Sequence, residues 1–177
     1  MEQWNEKIQM LISQENVEKR IDEMAKQISE VYAGKVLHMI CILKGSVFYT
    51  CELAKRMTIP VTLDFMSVSS YGDEQKSSGI VKIVKDLDQP IEGREVLIVE
   101  DIIDSGNTLF YLRGILEKRK PASIAITTLL DKPDRRETEV PVEYVGFQVP
   151  DKFVVGYGLD CGQKYRNLPY IGVIEDS

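Results

Sequence analysis

The chain has 177 residues, of which 44% are hydrophobic and 28% charged, and its net charge is −6. Such proportions belong to an ordinary globular protein with chain enough for a sizeable core, so a single domain spanning 1–177 is expected. No lysine and arginine cluster of nucleic-acid-binding size occurs, and no apolar run approaches the ~20 residues of a membrane span, which argues against nucleic-acid and membrane partners. The N-terminus, Met1 to Glu6, is polar and acidic, unlike a signal peptide. Cys41, Cys51 and Cys161 are odd in number and lack metal-ligand spacing, so they read as reduced thiols in a cytoplasmic protein.

Ile8–Ile12 predicts a short strand. Ser13 then caps a helix whose apolar positions, Val17, Ile21, Met24, Ile28 and Val31, recur at spacings of four and three, and Gly34 stops it. The apolar run 36–43 is a strand. It carries His38, the only histidine, as a sheet residue; a histidine triad or a His-rich zinc site is thereby excluded. Leu43-Lys44-Gly45-Ser46 is a strand-to-helix turn offering a cation and backbone N–H groups, apt for a phosphate, although a plain loop with a solvated lysine has the same signature. A helix follows to about Met57, then a strand from Val61 to about Val68. Residues 69–79 have no apolar periodicity and are rich in turn formers, a flexible loop longer than most connections. Strands are expected near 80–85 and 96–100.

The most telling stretch is 96–109. Val96 to Val99 form a strand buried on both faces, the pattern of a central parallel strand. It runs into Glu100 and Asp101, then Asp104, then Ser105, Gly106, Asn107 and Thr108, and into a helix placing Leu109, Leu112, Ile115 and Leu116 inward. The turn presents N–H groups and hydroxyls at a helix N-terminus, a binding place for a phosphate monoester. The acids suit hard cations or sugar hydroxyls. An Asp/Ser N-cap at a strand end is the ordinary alternative. Together the parts suit a ribose 5-phosphate. No Gly-x-x-x-x-Gly-Lys-Ser/Thr string and no Gly-x-Gly-x-x-Gly after a strand occurs, so neither a P-loop nor a Rossmann fingerprint is present. An acidic protein that binds a polyanion needs local cations, and magnesium supplies them.

Strand 122–130 and shorter strands at 142–147, 153–157 and 170–174 close the chain. Strands alternating with helices imply an α/β fold with a doubly wound, mostly parallel central sheet and flanking helices. The ligand site should lie beyond the strands' carboxyl ends, where Lys44, Asp101 and Lys132 could converge. Leu130-Asp131-Lys132-Pro133 places a lysine at a strand end. Phe153, in Pro150-Asp151-Lys152-Phe153-Val154-Val155-Gly156-Tyr157, offers a π-face to a planar base. For both, as for Arg166, ordinary packing or a surface position is the alternative.

The acidic loop resembles the phosphoribosyl-pyrophosphate motif of type I phosphoribosyltransferases. Taken in order with Leu-Lys-Gly-Ser, the Ser70-Tyr71 loop, Asp-Lys-Pro and Asp-Lys-Phe-Val-Val-Gly-Tyr, it resembles the hypoxanthine-guanine phosphoribosyltransferase family from about residue 8 to 174. The resemblance implies the type I phosphoribosyltransferase-like fold: a lid loop at about 69–79 with Ser70 and Tyr71, and a small base-binding hood built from the N-terminal segment and about 150–177. It implies that Glu100 and Asp101 hold the ribose hydroxyls and Mg2+, with Asp160 aiding a second magnesium and the purine. Asp104, Ser105, Gly106, Asn107 and Thr108 would wrap the 5-phosphate, and Asp104 would accept the proton of purine N7. Lys132 would donate to O6, Phe153 would stack on the ring, and the Val154 carbonyl would read the N1/N2 edge. Lys44, Gly45 and Arg166 would grip pyrophosphate. A non-proline cis peptide is expected at Leu43–Lys44, and a homo-dimer or homo-tetramer. Asn107 departs from members that carry lysine there, which removes a cation from the phosphate pocket. The implied reaction is magnesium-dependent salvage of hypoxanthine or guanine with 5-phosphoribosyl 1-pyrophosphate, giving IMP or GMP. A xanthine-preferring relative and a non-catalytic regulator are the alternatives. A receiver-type signalling domain fits poorly, because too little chain follows Asp131.

Overall fold

A computed structural model describes residues 6–70 and 81–175. Its main sheet is built from β2 (Leu37–Leu43), β3 (Val61–Ser70), β4 (Val81–Lys85), β5 (Glu95–Ile103), β6 (Ser123–Asp131) and β7 (Tyr144–Gln148). The spatial order is β4-β3-β2-β5-β6-β7, and every pairing is parallel except β3 with β4.

The period of two along the central strands divides the interior. Leu37 and Met39 of β2 and Leu97 and Val99 of β5 join one core cluster with α1 (Gln14–Val31) and α2 (Val47–Arg56). Ile40, Ile42, Val96 and Ile98 point the other way and pack with Leu109, Leu112 and Leu116 of α3 (Asn107–Glu117). Val96 to Val99 are all 0% exposed, as a strand covered on both faces requires. The doubly wound arrangement has a simple cause. From β2 the chain moves outward to β3 through α2, whereas from β5 it moves the opposite way to β6 through α3. Right-handed crossovers in opposite directions put α2 and α3 on opposite faces, and leave a crevice where β2 and β5 diverge at their carboxyl ends.

Ser13 caps α1 as expected, its Oγ accepting the Asn16 N–H at 3.3 Å. Val17, Ile21, Met24 and Ile28 are 0% exposed, but Val31 is not inward: it is 59% exposed, and Tyr32 is buried in its place. At 100° per residue the stripe has drifted by Ile28, so the next core-facing position is four residues on rather than three. Three further boundaries differ from expectation. β3 runs on to Ser70, so the start of the expected loop is strand. The rest of that loop, Tyr71 included, lies outside the described residues. β5 runs through both acids to Ile103, held by pairing with β6 as far as Asp131. β8 (Val154–Val155) is only two residues long.

β1 (Ile8–Ile12), β9 (Ile171–Ile174) and β8 form a second, antiparallel sheet of order β1-β9-β8. The expected hood segments thus come together, and the N-terminal strand pairs with the last one. His38 is buried in β2, its Nδ1 2.7 Å from Thr62 Oγ1. All three cysteines are free.

Candidate active site

The acidic motif, the Lys44-Gly45 turn and the segment 158–166 meet at the crevice between β2 and β5. The Asp101 carboxylate lies so close to Gly45 that a Cβ there would sit 1.5 Å from Oδ2. Gly158, at φ +104°, packs on the same turn, and its own Cβ would fall 1.8 Å from the Gly45 carbonyl oxygen. At Gly158 the clash is with backbone, so no side chain fits there; at Gly45 a side chain would displace the Asp101 carboxylate. Gly158 also accepts from Arg166 Nη1 at 2.7 Å, and Arg166 Nη2 pairs with Asp160 at 2.8 Å. Lys44 is exposed and pairs with no described acid; the peptide before it, Leu43–Lys44, is cis.

Glu100 and Asp101 are poor homes for negative charge when alone. Burial, and then the neighbouring Asp101 charge, push the Glu100 carboxyl well above the usual carboxylate range. Burial pushes Asp101 up as well. Oε1 of Glu100 accepts the Asp101 N–H at 3.2 Å, and Oδ1 of Asp101 accepts the Ile102 N–H at 2.8 Å. A divalent cation would relieve that cost, so this donor pair fits magnesium. Among the described residues no group of three or more His, Cys, Asp or Glu forms an all-protein cage. Asp160 stands apart from the pair, bound to Arg166 and accepting the Gln163 N–H at 2.7 Å.

The phosphate loop follows. Gly106 is the N-cap of α3 at φ +85° and offers no side-chain cap; the Asn107 N–H reaches Ser105 Oγ at 3.4 Å, and the N–H groups of the turn beyond it are left for an anion. A Cβ at Gly106 would lie 2.2 Å from the Thr138 carbonyl oxygen, because a strap formed by 133–138 backs the loop. The Ser105 carbonyl accepts the N–H groups of Glu137 and Thr138 at 2.9 and 3.0 Å. The Asn107 amide is spent on this strap: Nδ2 donates to Glu137 at 2.8 Å, and Oδ1 accepts from the Thr138 hydroxyl. A cavity of about 170 Å³ lies beside the loop, lined by Glu100, Asp104, Ser105, Gly106 and Thr108.

A second cavity, of about 560 Å³, opens between the strand ends and the small sheet, lined by Lys132, Arg135, Asp151, Phe153, Gln9 and Val173. Lys132 is 7% exposed, anchored by its N–H on the Ile103 carbonyl at 2.9 Å, with Nζ 4.0 Å from Asp151 Oδ1. Phe153 is 56% exposed at the rim, and Val154 is buried in β8 opposite Val173. Ser70 ends β3, and Tyr71 falls outside the described residues.

Three residues at this site escaped the sequence reading. Arg135 pairs with Asp104 Oδ1 at 3.2 Å and with Asp151 Oδ1 at 3.4 Å. Arg136 donates from Nε to the Asp104 carbonyl at 3.2 Å and pairs with Asp131. Asp151 joins Arg135 to Lys132. The available signals are two adjacent arginines just after a lysine-bearing strand end and the aspartate that opens the Asp151-Lys152-Phe153 motif.

A carboxylate pair, a helix start with no side-chain cap from Gly106 and a cation-lined cavity thus lie together at one crevice, the layout of a nucleotide-handling α/β enzyme. The phosphoribosyl transferase domain matches residues 8–161, and the chain belongs to that family of transferases. The hypoxanthine phosphoribosyltransferase of Salmonella typhimurium is 50% identical over 169 residues, 94% of this chain and 95% of that protein. The hypoxanthine-guanine phosphoribosyltransferase of Bacillus subtilis is 49% identical over 166 residues, 94% of this chain and 92% of that one. The crystal structure of a hypoxanthine-guanine phosphoribosyltransferase from Bacillus anthracis superposes with a TM-score of 0.92 at 45% identity, covering 96% of this chain and 100% of that chain.

Proposed function

We propose that this transferase salvages purines by moving the 5-phosphoribosyl group from 5-phosphoribosyl 1-pyrophosphate to N9 of hypoxanthine or guanine. The bond from C1 to the pyrophosphate oxygen breaks, the bond from C1 to N9 forms, and the N7 proton of the base leaves to Asp104. The products are IMP or GMP and pyrophosphate.

The observation that carries this reading is the adjacency of the two cavities, meeting where Asp104 of the phosphate loop pairs with Arg135 of the larger cavity's wall. A nucleotide needs that layout: phosphate on one side, base on the other, and an acceptor between. The N–H groups at the start of α3 bind the 5-phosphate. Lys132, a buried cation, donates to the 6-oxo group, which favours oxopurines over adenine, whose 6-amino group is itself a donor. Phe153, open at the rim, covers the ring. Lys44 and Arg166 flank the Gly45 turn and take up charge that grows on the departing pyrophosphate. Glu100 and Asp101, aided by Asp160, would hold magnesium, which would supply a counter-charge to the same group. Asp104 serves as proton acceptor in a site that contains no histidine.

Steady-state rates with hypoxanthine, guanine, xanthine and adenine, each with and without Mg2+, test the reading. Turnover of the first two, dependent on the metal, is expected. A xanthine preference would reassign the base, and the absence of pyrophosphate release with all four would leave a ligand-sensing protein instead.

A further inference from the structure

We propose that Arg135 is a positioning residue for Asp104: its guanidinium, braced on Asp151, clamps one carboxylate oxygen so that the other faces the incoming base. This rests on the phosphoribosyl-transfer reading above. Arg135 Nε lies 3.2 Å from Asp104 Oδ1, and its Nη1 lies 3.4 Å from Asp151 Oδ1. Lys132 Nζ is 4.0 Å from that same Asp151 oxygen. The result is an alternating row, Lys132–Asp151–Arg135–Asp104, running from the base cavity to the phosphate loop. Oδ1 is thus the Asp104 oxygen nearer the guanidinium, which leaves Oδ2 the freer of the two. A base whose one side is fixed by a third group is the geometry by which proton acceptors are oriented in enzymes generally.

The placement of Arg135 follows from the backbone around it. It closes a 3-10 turn, its N–H reaching the Lys132 carbonyl at 3.2 Å, and the strap beyond is bonded to the Ser105 carbonyl by two N–H groups. The next residue, Arg136, holds the Asp104 carbonyl at 3.2 Å. Adjacent arginines therefore fix the same aspartate at its carboxylate and at its main chain. Arg135 and Asp104 are each about half exposed, 53% and 49%. Exposed pairs of this kind contribute little to folding. The clamp can thus be removed without unfolding the protein, and its selection for stability alone is a weak explanation.

The test is a double-mutant cycle read as kcat and KM with hypoxanthine. Arg135→Ala should lower kcat by about 10- to 100-fold, the cost of a misplaced catalytic group. KM for 5-phosphoribosyl 1-pyrophosphate and the melting temperature should stay near wild type, Arg135→Lys should recover part of the loss, and added guanidinium should raise kcat of the alanine variant. In an Asp104→Asn background, Arg135→Ala should change kcat by less than about twofold, because residues acting as one unit are not additive. Unchanged kcat in Arg135→Ala, or the same fold loss in both backgrounds, overturns the proposal. A wild-type protein that turns over neither hypoxanthine nor guanine overturns the functional reading, and this proposal with it.

Discussion

Asp104 and Lys132 carry separable parts of the proposed chemistry. Asp104→Asn keeps the shape of the side chain and its ability to meet Arg135 through the amide oxygen, but removes the proton acceptor. It should lower kcat ~10²–10⁴-fold, the usual worth of a positioned base, while KM for 5-phosphoribosyl 1-pyrophosphate barely moves. Near-normal turnover would remove Asp104 from the proton path. Lys132→Ala removes a buried donor and leaves Asp151 with Arg135 alone. A hydrogen bond from a charged group contributes about 1.5–3 kcal/mol, so kcat/KM for hypoxanthine should fall roughly 10- to 100-fold. Hypoxanthine kinetics indistinguishable from wild type would show that the lysine does not read the 6-oxo group. The wider lesson concerns Asn107. In sequence it looks like a lost phosphate-binding cation; in the fold its amide ties the loop to Glu137 and Thr138.

Strand β2 carries the pH dependence most open to measurement, because His38 is the only histidine. Burial, and then the neighbouring Arg94 charge, hold its pKa below the ordinary 6.5, against a smaller opposing pull from Asp64. Thr62 Oγ1 and Arg94 face Nδ1, and Asp64 Oδ2 stands 3.9 Å from Nε2. A histidine depressed in the folded state takes up its proton more readily once unfolded. Its contribution to stability is therefore complete above about pH 6.5 and is lost as pH falls through the depressed folded value. The single imidazole C–H resonance should titrate below 6.5, and the decline in melting temperature between pH 7 and 5 should be shallower in His38→Gln. A midpoint at or above 6.5 would contradict the burial argument. The elements themselves were largely legible. Val96 to Val99 announce a central strand, and Ser13 announces the start of α1. Val31 falls off the core because a helical stripe drifts, and β5 outruns its apolar residues although two acids look like a strand's end. Pairing with β6 as far as Asp131 outweighs that local signal.

The small sheet shares a core cluster with the main one, and beyond it the backbone at Gly158 closes tightly on the Gly45 carbonyl at the crevice. Gly158→Ala introduces a Cβ into that contact at φ +104° and should cost about 1–3 kcal/mol. A lower melting temperature is expected, together with weaker pyrophosphate binding, because Gly158 also seats Arg166. Wild-type values for both would mean that the approach is not needed to assemble the site.

By itself the sequence determined the class of fold and the chemistry of the main motif. Apolar alternation, capping residues and a run of acids followed by small polar residues are local patterns, and each carries its physical meaning within a few residues. Resemblance of ordered motifs extended this to residues such as Asp160 and Arg166, whose spacing alone says little. The tertiary structure decided the neighbours: that Gly158 closes on Gly45, that Asp160 is taken up by Arg166, and that Arg135 bridges Asp104 to Asp151. Those contacts depend on strand register and on which way each crossover turns, and such long-range relations are set by packing of the whole chain rather than by any segment of it.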